Sequence, residues 1–168
     1  MSDPTATIEG KSYGEPIYRE GEAGSDLTPG ELLVRTGTNS AGETIYDSVS
    51  TVDAVDPQAQ FAQVPSTPPQ RDGTDTDPVD QTISSGTIVE VRIYRSGDTV
   101  KGALLAAGGD LSADSDATVS VGDTLGSNDD GSLKATSTAG AGVAEANEAL
   151  DNSGASAGDR VRIDVEVL

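Results

Sequence analysis

From Arg160 to Val167 charged and β-branched side chains alternate one for one, Arg160-Val161-Arg162-Ile163-Asp164-Val165-Glu166-Val167. A period of two sends successive side chains to opposite faces, so this stretch predicts a strand with one face on a core and one in water. Ser84 to Tyr94 follows the same grammar, and so do the shorter runs Gly97-Asp98-Thr99-Val100 and Val121-Gly122-Asp123-Thr124-Leu125. Each of these segments is introduced by a glycine next to a polar or acidic residue, a turn signal. Together they predict an all-β fold, a small β-barrel or β-sandwich of short hairpins with at most one short helix.

Upstream the signals are thinner. Lys11 to Glu20 predicts one edge strand, and Asp26 to Val34 a turn running into a buried strand, with Pro29-Gly30 suited to the centre of a type II turn. Thr44 to Val49 reads as the returning strand of a hairpin, and Gln58 to Val64 as a strand or one helical turn. The segment 65–82 is rich in Pro and Asp and cannot pack a core, which makes it an exposed loop. Downstream, Ala103 to Ala107 is too short and too closely flanked by glycine for a helix, and Asp130-Gly131 marks a hairpin turn. Gly142 to Leu150 is a conflict: its residues favour helix, its neighbours a sheet.

The expected organisation is a flexible N-terminal arm at 1–12 followed by a single β-domain at 13–168. Its expected core comprises Leu32, Val34, Ile88, Val91, Ile93, Leu104, Val121, Leu125, Val143, Val161, Ile163 and Val165. With 3% aromatic residues, burial is expected to rest on Val, Ile, Leu and Ala.

Charge narrows the function classes. The net charge of −19 repels nucleic acid and anionic lipid alike, so neither is an expected partner. Asp outnumbers Glu 19 to 10 and only three of the ten basic residues are Lys. That composition suits solubility at molar salt, where the Debye length is about 3 Å and self-repulsion is screened. It points to a halophilic, acidic protein. The N-terminus lacks the basic and apolar regions of a signal peptide, and no apolar run has the length of a membrane span, so synthesis in the cytoplasm is expected.

Chemistry is sparse. The chain has no Cys and no His, which removes thiolate sites, the usual zinc ligands and the commonest general base. No phosphate-loop or nucleophile motif occurs, and an enzyme is not expected. The only weak metal candidates are carboxylates closely spaced on loops, Asp72, Asp75 and Asp77 and then Asp110, Asp114 and Asp116. Asp is so common here that solvated loops account for both groups, and no cofactor is expected beyond, at most, structural cations. Ile8, Tyr13, Ile17 and Tyr18 are the apolar anchors with which the arm region would contact a shell or a neighbouring subunit.

The pattern running from Val89 to Tyr94, through Val100 to Gly108, Val121 to Leu125, Asp130 to Ala135 and Gly142 to Ala146, and into the closing strand at Arg160 to Val165, resembles small β-barrel structural proteins of tailed viruses, encoded beside the major capsid protein. These act as head decoration, or cement, proteins. The resemblance covers about residues 84–168, with an echo at Leu27 to Val34. It implies a virion protein on the capsid exterior, a homotrimer with the major capsid protein as partner. With the acidic surface, it implies a virus of a haloarchaeon. The long N-terminal half and the loop at 65–82 depart from the pattern and leave a turret or spike component as the alternative. A halophile cell-surface or adhesion module is a further rival, and a sugar-binding domain is disfavoured by the scarcity of aromatic platforms.

Overall fold

The computed structural model describes residues 10–11, 17–50, 59–64 and 77–168. In chain order its strands are β1 (Gly10–Lys11), β2 (Ile17–Ala23), β3 (Leu33–Thr38), β4 (Thr44–Ser48), β5 (Gln60–Ala62), β6 (Ile88–Ile93), β7 (Thr99–Leu105), β8 (Thr118–Val119), β9 (Thr124–Ser127), β10 (Leu133–Ala135), β11 (Gly142–Ala146), β12 (Leu150–Asp151) and β13 (Val161–Val167). The helical residues among those described form short 3-10 turns, at Pro78–Asp80, Gly108–Asp110 and Asp114–Ala117. The fold is all-β, as the alternation predicts.

Five strands of the C-terminal half close into a barrel in the order β7-β10-β9-β11-β13, with β13 pairing back onto β7. The pairings are antiparallel except for β10 with β7. In β13 the odd positions Ile163, Val165 and Val167 are buried, while Arg162, Asp164 and Glu166 face outward. Bending so short a sheet into a ring needs local irregularity. The ladder accordingly slips between Ile163 and Val165 opposite Gly102, whose φ of 83° suits a residue without a Cβ, and again between Gly142 and Ala144. A two-stranded ladder of β8 with β12 lies beside it, and β1 pairs onto Val100 and Thr99 at the start of β7.

A second, open sheet has the order β3-β4-β2-β6-β5. Its β3–β4 hairpin turns on Asn39, whose side-chain Oδ1 accepts from the N–H groups of Ala41 and Glu43 at 3.0 and 2.9 Å. The segment Leu27 to Leu33 joins the sheet to the barrel. Thr28 to Glu31 form the expected turn, with Glu31 N–H donating to Thr28 C=O at 3.1 Å and Gly30 at φ 94°. Leu32 then points into the cluster of Val100, Leu105, Leu125, Leu133 and Ile163, and its neighbour Leu33 into a second cluster with Leu27, Tyr46, Ile83, Val89 and Val91. Alternation at one residue's spacing thus serves both cores.

The conflict at Gly142–Ala146 resolves as strand, so tertiary pairing prevails over helix propensity. Several expectations are corrected. Ile88 is 67% and Val121 68% exposed. Ile88 shares its face of β6 with Glu90 and Arg92, and the buried parity is Val89, Val91, Ile93; Val121 sits in a turn closed by Asp123 N–H donating to Ser120 C=O. Val34, Val143 and Val161 pack at the core's margin. Burial rests, as expected, on Val, Ile, Leu and Ala, although the largest fully buried side chains are Tyr46, Tyr94 and Phe61. The strand expected at Lys11 to Glu20 begins at Ile17, runs to Ala23, and lies between β4 and β6 in the sheet order. Of the loop at 65–82, residues 65–76 lie outside the described residues.

Candidate functional site

Two constellations stand out, one that holds the molecule together and one that faces outward. The first is built on the polar face of β13. Arg162 donates from Nη1 to the carbonyls of Pro29 and Gly102 at 2.9 and 3.0 Å, and from Nη2 to the Val79 carbonyl and to Asp80 Oδ1. Arg160 pairs with Glu31 at 2.8 Å and reaches Thr28 Oγ1 and the Asp130 carbonyl. Glu31 is 3% exposed, and its other oxygen accepts from Ser48 Oγ at 2.8 Å. Planar guanidinium forks suit this work, since each donates to several acceptors at once, three backbone carbonyls and a carboxylate for Arg162, and a carboxylate, a hydroxyl and one carbonyl for Arg160. Their partners show these arginines to be structural.

The second constellation lies where β2 meets β6. Their register runs without a slip from Ile17 opposite Ile93 to Glu22 opposite Ile88. On the outer face Tyr18 stands opposite Arg92, and the Arg92 guanidinium carbon lies 5.4 Å from the Tyr18 ring centre and 5.0 Å from that of Tyr94. Tyr94 in turn meets Phe61 edge-on, centroids 5.7 Å apart. This stack of aromatic rings and one cation runs from the surface into the core, and cation–π contact favours a buried guanidinium there. Burial pushes the Tyr94 phenol up to about 12, against the opposing pull of Arg92 and the Gln63 side chain. It is neutral at any physiological pH. Beyond Tyr18 the outer face carries Glu20 opposite Glu90 and Glu22 opposite Ile88, with Glu22 accepting from Asn39 Nδ2 at 2.7 Å.

Of the anchors expected for contact, Ile17 is half-buried and Tyr18 is 62% exposed, both on β2. Ile8 and Tyr13 lie outside the described residues, as do Asp72 and Asp75. The remaining metal candidates are engaged locally or stand apart. Asp77 caps the turn at Val79, Asp110 accepts from Gly158 N–H at 2.8 Å, and Asp114 is exposed on its own 3-10 turn with Asp116 half-buried on the same turn. Among the described residues no three acidic groups converge as a cation would require. Sequence reasoning missed the inward stack because Arg92 and Tyr94 fall in a strand read only for its aliphatic residues; the spacing of two between them was the available signal.

No protein-family model matches the chain, and no curated protein matches it. Among solved structures it is similar to the head fiber gp8.5 N base of bacteriophage phi29, with a TM-score of 0.51 and 15% identity, over 92% of this chain and 98% of that one. At that identity the likeness is one of fold.

Proposed function

We propose that the chain is a structural component of a tailed-virus particle, attached to the outside of the head. There it binds the major capsid protein as a homotrimer and braces contacts between capsomers, without catalysis and without a resident cofactor. The observation that carries this reading is the fold likeness to the phage head fiber base, because it spans nearly the whole of both chains and so takes in the open sheet as well as the barrel. A protein that binds only the assembled shell stabilises it by mass action, which a non-enzymatic barrel can do without any reactive site. The acidic composition supports a haloarchaeal host in this reading. The melting temperature is then expected to fall as salt is withdrawn, and a value unchanged between dilute buffer and molar sodium chloride removes the haloarchaeal part.

A second reading has a specific observation in its favour. The similar structure is the base of a fiber, so this chain would be the foot of a projection, a turret or spike, instead of a brace. Electron cryomicroscopy of particles with and without the protein separates the two. Loss of head stability to heat marks a brace, loss of a projection with an intact head marks a foot, and density found nowhere on the head rejects both. Deleting residues 2–12 is expected to leave the barrel folded and to lower head occupancy.

A further inference from the structure

Strand β2 is paired along one side only for most of its length. Its ladder with β6 covers Ile17 to Glu22, but its ladder with β4 covers Glu22 and Ala23 alone, because β4 begins at Thr44 beside Gly21. On that side no strand among the described residues pairs with Ile17–Gly21. In a regular strand alternate residues aim their N–H and C=O groups to each side, so this stretch presents a row of donors and acceptors ready for another strand.

The sheet's other margins are blunted. Edge strand β3 carries a slip between Arg35 and Gly37, and edge strand β5 is bridged by Leu32 to Phe61. Bulges and cover of this kind are how proteins prevent unwanted edge pairing. The ladder of β2 with β6 has neither, and is regular throughout.

We infer that Ile17–Gly21 is a strand-addition site for an extended partner segment in which Lys or Arg alternates with apolar residues. The inference deepens the proposed role and rests on it only for the partner's identity, a segment of the shell protein. The chemistry of the occupant follows from the two faces. An added strand would set one row of side chains beside exposed Tyr18 and Glu20, where a cation meets a carboxylate and an aromatic ring. The opposite row would lie beside half-buried Ile17, along the aliphatic stem of exposed Arg19 and over Gly21, which is itself covered by the Tyr46 ring; there an apolar residue fits and a second cation is repelled. An antiparallel second copy of β2 would set Glu20 against its own kind in one register and Arg19 against its own kind in the next, which disfavours self-pairing. At molar salt long-range attraction is screened, so the backbone ladder carries the affinity and the contact pairs set the register.

The test uses the full chain in molar sodium chloride and two synthetic peptides of equal charge, Thr-Lys-Val-Lys-Val-Lys-Thr and its counterpart with proline in place of the central valine residues. Amide exchange at the alternate residues of 18–21 whose N–H groups face the open side is expected to slow by about tenfold or more with the first peptide and to be unchanged with the second, since proline cannot complete a ladder. Glu20→Lys is expected to weaken peptide binding about tenfold, the scale of one lost contact pair, whereas Asp129→Lys, an equal charge change on an exposed barrel turn, leaves it unchanged. Tyr18→Thr, which keeps strand propensity, serves if the charge reversal fails to fold. Equal binding of both peptides, protection elsewhere, or protection that grows with the chain's own concentration overturns the inference. Head occupancy separates the two proposals. A chain absent from heads that still forms the ladder keeps the site and loses the role, and a chain present on heads whose edge binds neither peptide keeps the role and loses the site.

Discussion

In the barrel each strand has a neighbour on both sides, whereas in the open sheet β2 changes from two neighbours to one part-way along. Both regions are made of the same material, short β-branched strands between glycine turns, and the two cores meet at adjacent residues, Leu32 and Leu33. What separates them is closure. The barrel strands are laddered on both sides, with β7 also taking β1, and the exposed apolar residues of that half are scattered, such as Val121 and Leu168. The sheet leaves backbone groups, a tyrosine and a carboxylate row on one outward strip. On the strand-addition proposal, the closed region supplies stability and the open one the means of attachment.

The sharpest way to break that division is at the joint. Arg160→Ala leaves Glu31 buried without its cation and is expected to cost about 3–5 kcal/mol in a denaturant titration, with both regions unfolding earlier. Adding Glu31→Gln should recover part of the loss, because the stranded charge is then gone. Truncation within each core comes next. Leu125→Ala in the barrel and Leu27→Ala in the sheet are each expected to cost about 2–5 kcal/mol. Amide exchange should tell them apart: the barrel variant accelerates exchange everywhere, while the sheet variant accelerates it first in β2 and β6. Equal acceleration in both regions by both variants would mean that the division is not energetic. A smaller effect is expected of Gly21→Ala, whose Cβ would meet the Thr44 carbonyl and, at 2.7 Å, the Tyr46 ring. Crowding of that kind costs about 1–3 kcal/mol and should widen the gap between β2 and β4 while sparing the barrel.

The smallest effect has the opposite sign. Burial, and then the carboxylate of Glu148, push the Asp164 carboxyl above its ordinary range, with Lys101 and the Gly102 N–H pulling the other way. A carboxyl that holds its proton more tightly folded than unfolded favours the fold while protonated, and that contribution is lost as pH rises through the folded value. At neutral pH the charge is therefore a cost. Asp164→Asn should raise the melting temperature there, and the gain should vanish as the buffer is acidified through the carboxylate range.

The two regions also differ in how far they could be read in advance. Strict alternation in β13, the Asp130-Gly131 hairpin and the Pro29-Gly30 turn are local rules, and the structure follows them. At β6 the same rule was legible but ambiguous, since Ile88, Val89, Val91 and Ile93 offer apolar residues on both parities. Only the partner strand decides that Ile88 faces water beside Glu22. The strand at Gln60–Ala62 was one of two local readings, strand or helical turn, left undecided because Gln60 is polar; in the fold Gln60 is 2% exposed. Of the candidate site, Ile17 and Tyr18 were singled out in the sequence, and the structure sets both on β2. The open edge was not, because it depends on where β4 begins relative to β2, a fact of tertiary register carried by no single stretch of residues.

The arginines of β13 set a timetable for making the molecule. Arg160 and Arg162 grip Thr28, Pro29 and Glu31 across separations of 132, 133 and 129 residues. While a ribosome is still extending the chain, the strands around that turn emerge long before the strand that will hold them. Contacts so distant in sequence close slowly, in about milliseconds to seconds for β-rich domains, since a long loop must be ordered before it is rewarded. The turn at Thr28 to Glu31 therefore waits without its two arginine partners until the last strand arrives. Abundant carboxylates serve that interval too, by keeping nascent chains apart before there is a fold to protect.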